Sequence, residues 1–156
     1  MRTKNYRKDT SNWEAIKKRL RADKGGNAKV GFMSDRYGDE NENLPVAYVA
    51  QLNNEGIGNP HRPFFYHAMQ NFVENKNTKR VAADLVGAIA AGGMTKQKAV
   101  TTLGKFLKSE IEMSIDNWTE PPNSAKTIDA KGRDDPLRDS FKMVDSVRVE
   151  YSQRRR

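Results

Sequence analysis

The sequence predicts an α+β fold: a small antiparallel sheet packed against a long central helix, with several shorter helices. Three observations predict it. One aliphatic stripe, Val100, Leu103, Leu107, Ile111 and Ile115, with Phe106 alongside, repeats at helical spacing between Thr95 and Asn117. Two short segments alternate in polarity instead. In 29–33, Val30 and Phe32 share a face; in 146–152, Val147, Val149 and Tyr151 alternate with Arg148 and Glu150. The remaining apolar residues fall in short helical patterns between Gly and Pro breaks, which is the arrangement of a sheet backed by helices.

Taken in order, residues 1–9 carry no apolar periodicity and read as a flexible basic arm. Thr10, Ser11 and Asn12 offer capping side chains to a basic helix. Its Trp13, Ile16 and Leu20 point to the core, and Gly25-Gly26 stop it. The first strand follows, then a polar loop over 34–44. Pro45 opens a helix over 46–54 that ends at Gly56. Gly56, Gly58 and Pro60 keep 56–60 irregular, and Pro63 starts a helix bearing Phe64, Phe65, Ala68, Met69 and Phe72. A helix over 78–91 presents Val81, Leu85 and Ile89 and ends at Gly92-Gly93.

The long helix comes next. Its 96–115 portion spans roughly 30 Å at 1.5 Å per residue. Burying its five aliphatic side chains contributes on the order of 10 kcal/mol before ordering costs. A proline-broken stretch over 116–136 holds one short helix at 125–131, and the second strand closes the chain. The organisation is therefore a basic arm over 1–9, one α+β domain over 10–152 with extended loops at 34–44 and 116–136, and a basic tail over 153–156.

Composition narrows the function. Of 156 residues, 36% are apolar and 31% charged, which is polar for a globular domain, so part of the chain lies outside the core or awaits a partner. With no cysteine there is no disulfide framework and no thiolate chemistry. Nothing approaches a membrane span, and the first twenty residues lack the apolar centre of a secretion signal. The net charge of +8 is uneven. Residues 1–24 hold nine Lys/Arg and three Asp/Glu, and Arg154, Arg155 and Arg156 follow at the other end. These ends, with Arg2, Lys4, Arg7 and Lys8 in the arm, suit double-stranded DNA or an acidic protein surface.

Catalytic and ligand-binding patterns fail one by one. His61 and His67 are six positions apart across a proline, which is not metal spacing. Residues 26–31, Gly-Asn-Ala-Lys-Val-Gly, open like a phosphate loop, but Phe32 and Met33 stand where Lys and Ser/Thr are needed. The acidic 35–42 stretch has its glycine at the wrong offset for a calcium loop. Asp134, Asp135 and Asp139 offer carboxylates without a histidine or metal partner, so their expected use is capping and turn formation. The expectation is no enzyme and no cofactor. Arg62, between two prolines and two phenylalanines, is expected to pair with a nearby carboxylate or carbonyl, making 58–69 a structural joint.

Several pieces in order carry a resemblance. They are KVGF (29–32), VAYVAQLNNEG (46–56), GNPHRPFF (58–65), SEIEMSI (109–115), PPNSAKTIDAKG (121–132) and DPLRDSFKMVDSVRVEY (135–151). This series resembles the neck or tail-completion (virion morphogenesis) proteins of tailed double-stranded-DNA bacteriophages, over about residues 28–152. Ser140-Phe141 stands where that family usually has Thr-Gly, which turns the expectation there toward a continued helix.

The resemblance implies a structural virion protein. It implies a homo-oligomeric ring, a hexamer or dodecamer, at the head–tail junction, assembled in the host cytoplasm. Its partners would be the portal-side connector and the tail terminator or tail tube proteins, with no membrane. Arg62, Phe64 and Phe65 would position the subunit, and Pro121, Pro122 and Lys131 would lie in the loop that meets a neighbour. The alternative is a small basic DNA-binding or DNA-packaging accessory acting through its arm.

Overall fold

The computed structural model describes residues 11–22, 25–38 and 42–153. Arg2, Lys4, Arg7, Lys8, Arg154, Arg155 and Arg156 lie outside the described residues. The aliphatic stripe forms the longest helix. Among the described residues, which form seven helices and two strands, it is α5, Lys96–Asp116. Thr95 caps it, its hydroxyl accepting from the Lys98 N–H at 3.2 Å.

Against α5 lies the expected two-stranded antiparallel sheet, which makes the fold α+β. Strand β1 (Gly26–Phe32) pairs with β2 (Val147–Gln153) in a register that puts Ala28 opposite Tyr151, Val30 opposite Val149 and Phe32 opposite Val147. Alternation places these six on one face, toward α5, and Lys29, Arg148 and Glu150 on the other. Gly104 sets how closely the sheet sits. A Cβ there would lie 2.8 Å from Val149 Cγ1 and 3.2 Å from Ala28 Cβ. The mid-helix glycine gives up helix propensity so that the strands can lie nearly on the helix backbone.

The core gathers at the C-terminal half of α5. Ile111 and Ile115 meet Phe64 and Ala68 of α3 (Phe64–Glu74), and Val46 and Ala50 of α2 (Val46–Glu55). Leu137, Met143 and Val147 complete the cluster. Phe32 meets the Phe64 ring edge-on, centroids 6.3 Å apart. Ile111 and Ile115 are thus fully buried, while Val100, Leu103 and Leu107 are half-buried and Phe106 is exposed. The stripe therefore stabilises by less than full burial of five side chains implies, because the sheet and α4 (Lys76–Ala91) cover its N-terminal half only in part.

Two expectations need correction. Helix α1 (Ser11–Ala22) does not insert its apolar face into the core. It lies on α4, where Arg19 Nη1 donates to the Ala90 carbonyl at 3.1 Å. Packed on α4, α1 half-buries Ile16 and leaves Trp13 58% and Leu20 37% exposed. Nor does a helix continue through Ser140-Phe141. Phe141 takes a left-handed conformation (φ +58°), and only the one-turn α7 (Lys142–Asp145) follows before β2. A phenylalanine at positive φ costs on the order of 1 kcal/mol or more. Its ring is held between the guanidinium groups of Arg133 and Arg138, at 5.1 and 4.9 Å.

Gly104 generates a test. Gly104→Ala gains about 1 kcal/mol of helix propensity but loses about 1–3 kcal/mol to overlap with Val149 and Ala28. The expected outcome is a chain destabilised by up to about 2 kcal/mol, read as a lower urea midpoint at unchanged slope. A stabilised variant would mean the sheet does not rest on this helix face.

Candidate assembly site at the α2–α3 joint

The joint begins where α2 runs out of side chains that tolerate a reversal. Gly56 takes φ +69°, and its N–H closes onto the Leu52 carbonyl. The returning chain passes so close that a Cβ on Gly56 would lie 2.8 Å from His61 Cβ. Arg62 N–H then donates to the Asn53 carbonyl at 2.9 Å, fixing the return.

Helix α3 starts behind Pro63, which has no side chain to satisfy the free N–H groups of the first turn. Asn54 supplies the missing cap from the end of α2. Its Oδ1 accepts from Phe65 N–H at 3.0 Å, and the residue is 6% exposed. The same amide donates through Nδ2 to Glu55 Oε1 at 2.9 Å, and the Tyr66 hydroxyl donates to that oxygen at 2.9 Å. The hydrogen bonds from Asn54 and then Tyr66 hold the Glu55 carboxyl below its ordinary range. The Tyr66 phenol is pushed up by its bond to Glu55 and by that charge.

Arg62 points the other way and is buried, at 5% exposure. Its Nε donates to the Pro121 carbonyl at 3.1 Å, and its Nη2 to the Pro122 carbonyl at 3.2 Å and to Asn123 Oδ1 at 3.3 Å. Burial lowers the guanidinium's proton affinity, while the charge of Asp134 acts in the opposite sense. Asp134 in turn accepts from Asn123 N–H at 2.9 Å. Ser124 caps α6 (Ala125–Lys131), the helix expected at 125–131. Lys131 Nζ donates to the Asp135 carbonyl at 2.9 Å, with Asp139 at 3.9 Å, so it braces the turn after α6.

Arg62, Pro121, Pro122 and Lys131, chosen from the sequence, thus meet in one region. Arg62 and Lys131 line a groove of about 820 Å³ between α6 and the 59–62 turn. Phe64 is separate, fully buried in the core. Phe65 is half-buried and lines a smaller apolar slot of about 290 Å³ with Phe32, Ala47, Gln51, Glu55 and Tyr66.

The other candidates have structural uses. Residues 26–31 are strand β1, whose extended backbone cannot wrap a phosphate. His67 is exposed, edge-on to Trp118 and 3.4 Å from Ser114 Oγ, and the buried Ser114 hydroxyl donates to the Phe64 carbonyl at 2.8 Å. Asp135 pairs with Arg133 at 3.0 Å. Among the described residues no cluster of three or more His, Asp or Glu side chains is placed to hold a metal, and no helix is long and apolar enough to cross a membrane.

Asn54, Glu55, Tyr66 and Asn123 did not emerge from sequence reasoning. One signal was present: a helix starting at Pro-Phe-Phe without Ser, Thr, Asp or Asn before it must take its cap from elsewhere.

No protein-family model, curated protein or solved structure matches this chain.

Two outcomes are expected here. Arg62→Ala strands three acceptors and should cost about 2–4 kcal/mol, with amide exchange accelerated first around 118–124. Arg62→Lys should recover only part of that loss, since an ammonium cannot reproduce the planar fork. Tyr66→Phe should raise the Glu55 pKa toward its ordinary value in a carbon-13 carboxyl titration. A lowered folded-state pKa means the Glu55 contribution is present above the ordinary carboxylate range and is lost as pH falls through the lowered value.

Proposed function

We propose that this chain is a structural virion protein of a tailed double-stranded-DNA phage, forming a ring at the head–tail junction that joins the head connector to the tail. One observation carries the reading. The motif segments 58–65 and 121–132, on which the resemblance rests, are a single spatial unit. Arg62 of the first holds Pro121, Pro122 and Asn123 of the second. Direct contact between segments so far apart in the chain is what a common architecture would require of them, and it supports the reading.

The physical character of the chain supports assembly. Its sheet has two strands, and among the described residues no further strand pairs with either outer edge. A two-stranded ribbon is marginal by itself, and open edges are where other chains add. A ring requires a heterologous interface, one face of a subunit against a different face of the next. The groove beside α6 and the slot at the α2–α3 joint offer two distinct faces. The partners proposed are further copies, the portal-side connector, and the tail terminator or tail tube. By their charge, Arg2, Lys4, Arg7, Lys8 and the three terminal arginines suit DNA in the channel or acidic surfaces on adjoining rings.

Native mass measurement of the full-length protein, with imaging of intact particles, tests the reading. The expected result is a closed ring of six or twelve copies and density for the chain between head and tail. Particles complete without it would overturn the proposal.

A further inference from the structure

The slot at the α2–α3 joint and the exposed stripe of α1 have complementary chemistry. The slot, about 290 Å³, is at the small end for ligand pockets and suits one large side chain. Its walls are apolar except at Gln51, Asn54, Glu55 and Tyr66, and the Glu55 carboxylate is oriented by Asn54 and Tyr66. A cation beside an apolar group is what such a rim accepts. In the sequence, the stretch that leads into and forms α2, residues 34–55, holds five Asp/Glu against Arg36 alone, a net of −4.

Helix α1 presents the counterpart. Trp13 and Leu20, seven positions apart and so on one side, are exposed on a helix that packs on α4. Lys17 stands between them, its ammonium 5.9 Å from the Trp13 ring centroid. Lys18 and Arg21 are exposed as well, and residues 1–24 carry a net of +6, nine basic less three acidic. Lys17 pairs locally with Glu14, but an exposed pair of that kind is worth little and exchanges readily.

We infer that α1 of one copy docks in the α2–α3 slot of a second copy, Trp13 filling the slot and Lys17 meeting Glu55. A chain does not fill its own slot in this fold, because its α1 lies on α4, with the bond from Arg19 to Ala90, whereas the slot is walled by α2, α3 and β1. The contact joins two different faces, so it propagates head to tail and closes when the rotation per copy allows. It deepens the assembly reading and rests on it for the closed ring. The pairwise contact stands on the chemistry of the two faces.

The chain has two tryptophans, so Trp118→Phe leaves Trp13 as the sole indole reporter. Fluorescence and sedimentation of that full-length variant are measured from about 1 µM to about 1 mM, where even a millimolar contact is half formed. The expected result is a blue shift of Trp13 emission that tracks the rise in mass. Glu55→Arg, or Ala47→Phe to plug the slot, should move the midpoint at least about tenfold higher. Mixing Glu55→Arg protein with Lys17→Glu protein should restore association between the two, which a mere folding defect would not do.

A monomer at about 1 mM overturns the inference, as does mass rising without a Trp13 shift or a shift independent of concentration. A ring whose mass ignores these substitutions overturns the contact and leaves the neck reading standing. Particles complete without the chain remove the neck reading whatever α1 does.

Discussion

A buried guanidinium cannot shed its charge at any ordinary pH, so it must find acceptors, and Arg62 finds them about sixty residues away in the backbone of a proline pair. Prolines suit the purpose. They cannot donate to a helix or strand ladder, so their carbonyls remain free for a side chain to claim. Asn123, which also receives Arg62, is tied through its N–H to Asp134 on the far side of α6. This side chain therefore ties the start of α3 to the segment that leads into α6. Arg62 lines the α6 groove, so loss of the guanidinium would remove part of that groove's wall.

What the sequence made legible follows from where the free energy is local. Helix ends at Thr95, Gly56 and Gly92 were readable because caps and left-handed glycines act within a few residues. The two strands were readable from alternation, and the core-bearing helix from its stripe. The acceptor class for Arg62 was foreseeable too, since burial forces a partner. Its identity was not, because nothing local links position 62 to position 121.

The failures share a cause. Trp13 and Leu20 have the spacing of core residues, but spacing reports a shared face and not what covers it. Phe141 keeps a turn that glycine would occupy without strain, because two arginines clasp its ring, and that contact is tertiary. Gly104 is the seat of the sheet and Asn54 the cap of the next helix, and both roles depend on contacts that no local pattern records.

The uneven charge fits with the thin core. A chain this polar gains little from burial within one copy, and its basic and acidic stretches, 1–24 and 34–55, are segregated and not interleaved. Segregated charge repels like faces and draws unlike ones, which favours head-to-tail contact over a symmetric pair. Electrostatics of this kind sets encounter rate and partner choice and is screened over about 8 Å at physiological salt. Register then has to come from a short-range feature, and the proposed seating of Trp13 in the slot would supply one. Such a division of labour would make association fast and salt-sensitive while its geometry stays fixed.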